Sequence, residues 1–256
     1  MVRRTRVSDG AAIEVVSLEF GAFPEITRLN PRFVAGHQRL KLTLDVKLPA
    51  RPADVNPPAF VEALKDMLPS LARHRCCGDN QIHETFFTRA RRRACAIRET
   101  DETVDVAHLL EHLVIDFQHY IADMRICSGV TCGYESPRHR YDIFIESPGQ
   151  NVSHLCVEVA RALMKDLLRG GPPDPIYARV VKLAHQFHQN PGRPISPPAA
   201  AGVLGDGPRT AEALHILREM NFIREIETSI NFSRVPLYQL ERRGMRRRQA
   251  LDLDSA

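Results

Sequence analysis

A chain of 256 residues with 43% hydrophobic and 26% charged residues has the make-up of a globular protein with one large or two modest domains. No apolar run approaches the roughly 20 residues that span a bilayer, so no transmembrane helix and no membrane partner are expected. The net charge of +4 is too mild to mark the whole chain as a binder of polyanions, but basic residues bunch at Arg89–Arg93 and Arg242–Arg248.

The start, Met1-Val-Arg-Arg-Thr-Arg6, is basic like the first part of a signal peptide. The stretch from Val7 to Glu14 then brings acids and no apolar core, so a cytoplasmic location is expected. The six cysteines form no CxxC pair and read as simple thiols in a reducing compartment. Residues 1–39 read as an N-terminal extension. Leu40 to Leu48 alternates apolar and polar residues with period two, the mark of a strand with one buried face. Prolines from Pro49 to Pro58 make a loop, and Phe60, Ala63, Leu64, Met67 and Leu68 then fall at helical spacing. A second helix is expected from about Thr103 to Tyr120, with acids near its start. Tyr141 to Glu146 reads as a strand, broken by Pro148-Gly149, and Val152 to Leu168 as a third helix.

Arg169-Gly-Gly-Pro-Pro-Asp-Pro175 reads as a linker, because glycine pairs and prolines remove helix and ladder hydrogen bonds. Beyond it, Ile176–His188, Ser196–Leu204 (Ser196 as cap, proline in the first turn) and Pro208–Met220 read as helices. Phe222–Glu227 and Val235–Leu240 follow as strand-like runs. Three helices and a hairpin outline a winged helix-turn-helix. The expected class is therefore α+β: helices on a small sheet over residues 40–170, a winged-helix-like domain over 176–245, and a basic then acidic tail over 246–256.

The chemistry-bearing motif is His108-Leu-Leu-Glu111-His112. Histidines four apart on a helix lie one above the other, close enough to bind one metal through imidazole nitrogens. Glu111 lies near both, where it can take a proton from water and return it to a leaving group. The order is HxxEH, the reverse of HExxH. His108, Glu111, His112, Ile115 and His119 share one helix face, opposite a stripe of Val106, Leu109, Leu110, Leu113, Val114 and Phe117 expected to pack on the sheet. A catalytic zinc needs a third protein ligand. Glu146, at a strand end, is the first candidate, with His154 and Glu158 as alternatives.

Residues 40 to about 165 resemble the N-terminal domain of cyanophycin synthetases, the enzymes that build the Asp–Arg polymer cyanophycin. The resemblance runs through the strand ending Leu44-Asp45-Val46, Leu68-Pro-Ser-Leu-Ala-Arg-His74-Arg-Cys76, His108 to Gln118, Ala122-Asp-Met124 and Tyr141 to Glu146. It implies a zinc hydrolase that clips the polymer internally, with His108 and His112 on the metal, Glu111 as base, and Glu146 matching an acid at the end of the family's strand. Near Gln150 the family often carries another acid, and Cys127 and Cys132 replace non-cysteine positions in a loop. The ATP-grasp and ligase domains that perform synthesis have no counterpart in 256 residues, so polymerisation is not expected.

Two readings follow. In one, the protein is a zinc-dependent hydrolase of a peptide or isopeptide bond, with a basic rim (Arg89 to Arg93, His83) guiding an acidic polymer and a homo-oligomer as its assembly. In the other it is a DNA-binding regulator whose N-terminal domain senses a ligand or metal. Arg209, Thr210, His215 and Arg218 would then face the groove, with Arg224, Arg234 and the Arg242–Arg248 cluster reaching phosphates. Glu212 and Glu219 on the same helix count against DNA.

Overall fold

The computed structural model describes residues 12–30, 33–47, 64, 68, 99–168, 173–205, 207–230 and 233–241, with backbone alone for 99–105, 227–230 and 233–235. The period-two run at residues 40–48 builds strand β2 (Gln38–Lys47). It pairs antiparallel with β1 (Ala12–Ala22) on one side and, on the other, with β4 (Arg140–Glu146), which in turn pairs with β3 (Gly129–Gly133). On the inner face Leu40, Leu42, Leu44 and Val46 join Tyr141, Ile143 and Ile145. Helices α2 (Glu99–Ala122) and α3 (Gln150–Leu168) close this core, adding Leu110, Leu113, Phe117, Leu155, Val159 and Leu163 to it.

The outer face carries the alternate residues as cross-strand pairs: Arg39 opposite Glu146, Thr43 opposite Asp142, Asp45 opposite Arg140. The Arg140 guanidinium grips both oxygens of Asp45 at 2.8 and 2.9 Å and holds that carboxyl below its ordinary range. A short helix, α1 (Ile26–Leu29), lies over this face through a small apolar cluster of Ile26, Phe33 and Phe144.

The expectation that residues 1–39 form an extension is corrected: β1 is a full edge strand, in register with β2 from Ala12–Lys47 to Ala22–Gln38. A register shift between Val15 and Ser17 puts odd residues on the inner face before it (Ile13, Val15) and even ones after it (Leu18). The change of phase breaks the period-two signal that would have revealed the strand. Of the helix expected over residues 60–68, the described residues retain Leu64, fully buried in the core, whose carbonyl accepts from Leu68 N at 2.8 Å.

After residues 169–172, which lie outside the described set, come α4 (Ile176–Gln189), α5 (Pro197–Leu204) and α6 (Gly207–Glu219). Ser196 caps α5 by accepting from Ala199 N, proline fills its first positions, and Gly205 ends it at φ 74°, as the sequence signals require. Strands β5 (Ile223–Ile230) and β6 (Ser233–Leu240) pair antiparallel, and Ile195 bridges Tyr238 beside them. The buried cluster is continuous from the sheet through α2 and α3 into α4 and α6, with Val180, Leu183, Phe187, Leu214 and Leu217 among its members. The change of sequence rhythm near residue 170 is thus not a break in the core. No helix among the described residues is long and apolar enough to cross a membrane.

Candidate metal centre

From Val106 to Ala122, helix α2 is largely apolar and largely buried. Its core stripe faces inward as expected, and the polar face is closed over at its centre, where Glu111 is 3% exposed and His112 5%, while His119 at its end is exposed. Edge strand β3 covers this side. Gly129 has no side chain to hold the helix off, and a Cβ placed there would lie 2.6 Å from Glu111 Oε1. Two residues along the same face of β3, the Thr131 hydroxyl donates to Glu111 Oε2 at 2.5 Å.

One helical turn sets the imidazoles of His108 and His112 together, with Nε2 atoms 3.0 Å apart. Among the described residues, His108, Glu111 and His112 form a group whose ligand atoms all lie within 4.8 Å of one another. Facing nitrogens at this distance share one proton or one cation. Burial pushes His108 below the ordinary histidine range, towards the neutral form that binds metal. Burial also raises Glu111 to about 7, the Thr131 hydrogen bond opposing it. Nitrogen donors beside a carboxylate suit a borderline cation such as zinc. Among the described residues the group therefore offers a metal two imidazole ligands, His108 and His112, of the three protein ligands a catalytic zinc takes, with Glu111 beside them.

The structure does not bring Glu146 to this group, which corrects its expected place as third ligand. Register puts it opposite Arg39, on the outer face of the sheet, while Glu111 meets the inner face. There Arg39, only 1% exposed, directs its guanidinium to Glu146 Oε1 at 3.5 Å and to the carbonyls of Val34 and His37. His37 Nδ1 lies 3.3 Å from the same carboxylate oxygen. Strand alternation turned the side chain away from the helix, and a buried arginine holds it there. Glu146→Ala should therefore cost about 1–3 kcal/mol of stability, because a buried guanidinium loses its counter-charge, with bound metal unchanged; denaturation and elemental analysis of the same sample check both. Of the alternatives, Glu158 is engaged by Arg161 at 2.9 Å. His154 stands four residues before it on α3, its Nδ1 buried without a hydrogen-bond partner, and neither residue joins the group.

Thr131 and Gly129 were missed because Gly129-Val-Thr-Cys-Gly133 is short and bracketed by glycines, and so reads as part of a loop. Its β-branched pair Val130-Thr131 was the available strand signal. Cys132 accordingly lies on a strand and not in a loop. Cys127 donates to the Glu146 carbonyl at 3.3 Å, and burial pushes its thiol up to about 12. It and Cys132 are free thiols. His83 and Arg89–Arg93, the expected basic rim, lie outside the described residues.

Among the described residues, the expected DNA-reading residues of α6 do not form an open basic face. Thr210 is buried at 2%, which corrects its expected place in a groove. Arg209 is held by Asp174 at 3.3 Å and Glu212 at 3.2 Å. Arg218 meets Glu225 at 3.1 Å and Glu219 at 3.7 Å, and its guanidinium also reaches His215 Nδ1 at 3.3 Å. Each described guanidinium on α6 thus already faces two carboxylates, which leaves little uncompensated charge for phosphate. Arg234 is on β6 opposite Ser229, with its side chain outside the described set, as is the Arg242–Arg248 cluster.

A family model for the cyanophycin synthase-like N-terminal domain matches residues 40–169. That span holds β2 from Leu40 onward, β3, β4, α2, α3 and the whole His108–Glu111–His112 group; β1, α1 and everything from α4 onward lie outside it. No curated protein matches the chain.

Proposed function

This chain belongs to the cyanophycin synthase-like N-terminal domain family, and from that premise we propose that it is a metal-dependent hydrolase of a peptide or isopeptide bond, with cyanophycin-like Asp–Arg material as its substrate class. The observation that carries the reading is the trio of half-buried His108 with buried Glu111 and His112: two imidazole nitrogens 3.0 Å apart with a carboxyl group at about pKa 7 within 4.8 Å. His108 and His112 would hold the metal, and zinc is the ion that suits them. When bound, such an ion supplies Lewis acidity, polarising a carbonyl and making water more acidic.

The chain's own residues do the rest. Thr131 fixes Glu111 Oε2 by its hydroxyl, so Oε1 is the oxygen left to accept a proton. A carboxyl poised near neutrality can take that proton from water and still release it. The water oxygen then bonds to the scissile carbonyl carbon. As the C–N bond breaks, Glu111 passes the proton to the departing nitrogen, giving a carboxylic acid and an amine, with Glu111 returned to its starting form.

The test joins elemental analysis to an assay on purified cyanophycin. Wild type should carry about one zinc per chain and release Asp–Arg fragments, and His108→Ala should lose both. A wild-type protein that neither binds metal nor cleaves the polymer would sink the reading.

A further inference from the structure

The outer face of the sheet, away from the His108–Glu111–His112 group, carries a hollow of about 330 Å³ between α1 and strands β2, β3 and β4. Its floor is Phe144, nearly buried, with Lys41 Nζ 5.4 Å from the ring centroid. Asp142 sits beside it and is fully engaged: Thr43 donates to Oδ1 at 2.7 Å, the Tyr134 hydroxyl to Oδ2 at 3.1 Å, and Lys41 Nζ lies 3.4 Å from Oδ2. The wall opposite is α1, which contributes Arg28, Leu29 and the preceding Glu25.

Three features single this hollow out. Its size falls at the lower end of small-ligand sites, roughly 300–1,000 Å³. Two large hydrophobic residues on its lining, Leu29 at 47% and Tyr134 at 41% exposure, are left open to solvent. The charges on its lining come as two cations and two carboxylates. Asp142 has its oxygens occupied from inside the fold, whereas Arg28 and Glu25 make no ion pair with any described residue. A ligand of one sign would gain from one of these groups and be repelled by the other. A ligand with both signs, set across an aliphatic stem, meets Arg28 and Lys41 with its carboxylate and Glu25 with its cation, while the stem lies against Leu29 and Phe144.

We propose that this hollow is a second binding site, for a small zwitterion of amino-acid size. Its α1 wall, with Glu25, Arg28 and Leu29, precedes the family-matched residues 40–169. The hollow is separate from the metal centre. Strand β3 divides the two, with Thr131 turned to Glu111 and Cys132 to the hollow.

The experiment is an NMR titration of the full chain with L-arginine, L-lysine and L-glutamate, with sodium acetate and guanidinium chloride as single-sign controls. A zwitterion should give saturable amide shifts at Lys41, Cys132 and Tyr134, and the controls should bind about tenfold more weakly or worse. Arg28→Ala and Glu25→Ala, both at exposed positions where the fold tolerates change, should each weaken the zwitterion by about tenfold. Absence of saturable shifts at these amides up to about 10 mM ligand, well beyond the ~1 mM range of weak small-ligand sites, overturns the proposal. So does equal binding by acetate or guanidinium, or binding untouched in both variants. None of these readouts depends on bound metal or on hydrolysis.

Discussion

Glu111→Gln should abolish hydrolysis, by about 10²–10⁴-fold in kcat, while the protein keeps its metal and becomes more stable at alkaline pH. The last part follows from the sign of the shift. Glu111 is raised from 4.5 to about 7 by burial, so the folded state holds a proton that the unfolded state has already released between those values. Stability of the metal-free protein therefore falls as pH rises through that window, and the full penalty is present above about 7. At 1.36 kcal/mol per unit the penalty is about 3 kcal/mol, an upper figure because neighbours relax around a new charge. Glutamine carries no charge at any of these pH values, and its carbonyl oxygen can still accept from Thr131. In chelator, urea midpoints of wild type and Glu111→Gln should nearly coincide at about pH 4, below the unfolded value of 4.5, and separate at about pH 8 with the variant the more stable. Equal midpoints at pH 8 would show that the carboxylate is better solvated than its 3% exposure implies. Zinc retained together with undiminished cleavage would remove Glu111 from the role of base.

The helix that carries the site was legible because its signal is local. Leucines and valines at helical spacing fix which side of α2 is core, and a pentapeptide fixes where two imidazoles and a carboxyl stand. The strand at residues 40–48 and the Ser196 cap were legible for the same reason: each is settled by residues two to four positions apart. What could not be read is what depends on pairing at long range. β1 hides its alternation behind a bulge that reverses its phase. Glu111 and His112 on the polar face of α2 are buried in the fold, because a glycine 18 positions on from Glu111, Gly129, lets an edge strand close over them. Glu146 looked like a ligand because it ends a strand near the helix. Its register with Arg39 assigns it to the other side of the sheet, and no local pattern records that register. The basic residues of α6 looked available for phosphate for a similar reason, since the acids that hold Arg218 and Arg209 include Glu225 and Asp174, which lie outside that helix.

Gly129→Ala separates placement of the base from stability of the fold. The glycine is not required by its backbone, since its φ lies outside the left-handed region that Gly149 and Gly205 adopt. It is required by distance: an alanine Cβ would meet Glu111 Oε1 at 2.6 Å and its Cγ and Cδ at 3.0 Å. Something must yield, and the end of a side chain yields more cheaply than two packed backbones. Folding should then lose only about 1–2 kcal/mol, the ordinary cost of one extra methyl in a packed interior. The carboxyl, however, is displaced from Thr131 and from the point where it meets water, and a displacement of about 1 Å costs roughly 10²-fold in rate. His108 and His112 are untouched, so zinc content should be unchanged. The cause can be isolated by a double-mutant cycle. With Glu111→Ala the clashing atoms are gone, so Gly129→Ala should cost almost nothing in stability in that background. If the alanine costs as much without the Glu111 side chain as with it, the glycine serves the strand and not the base.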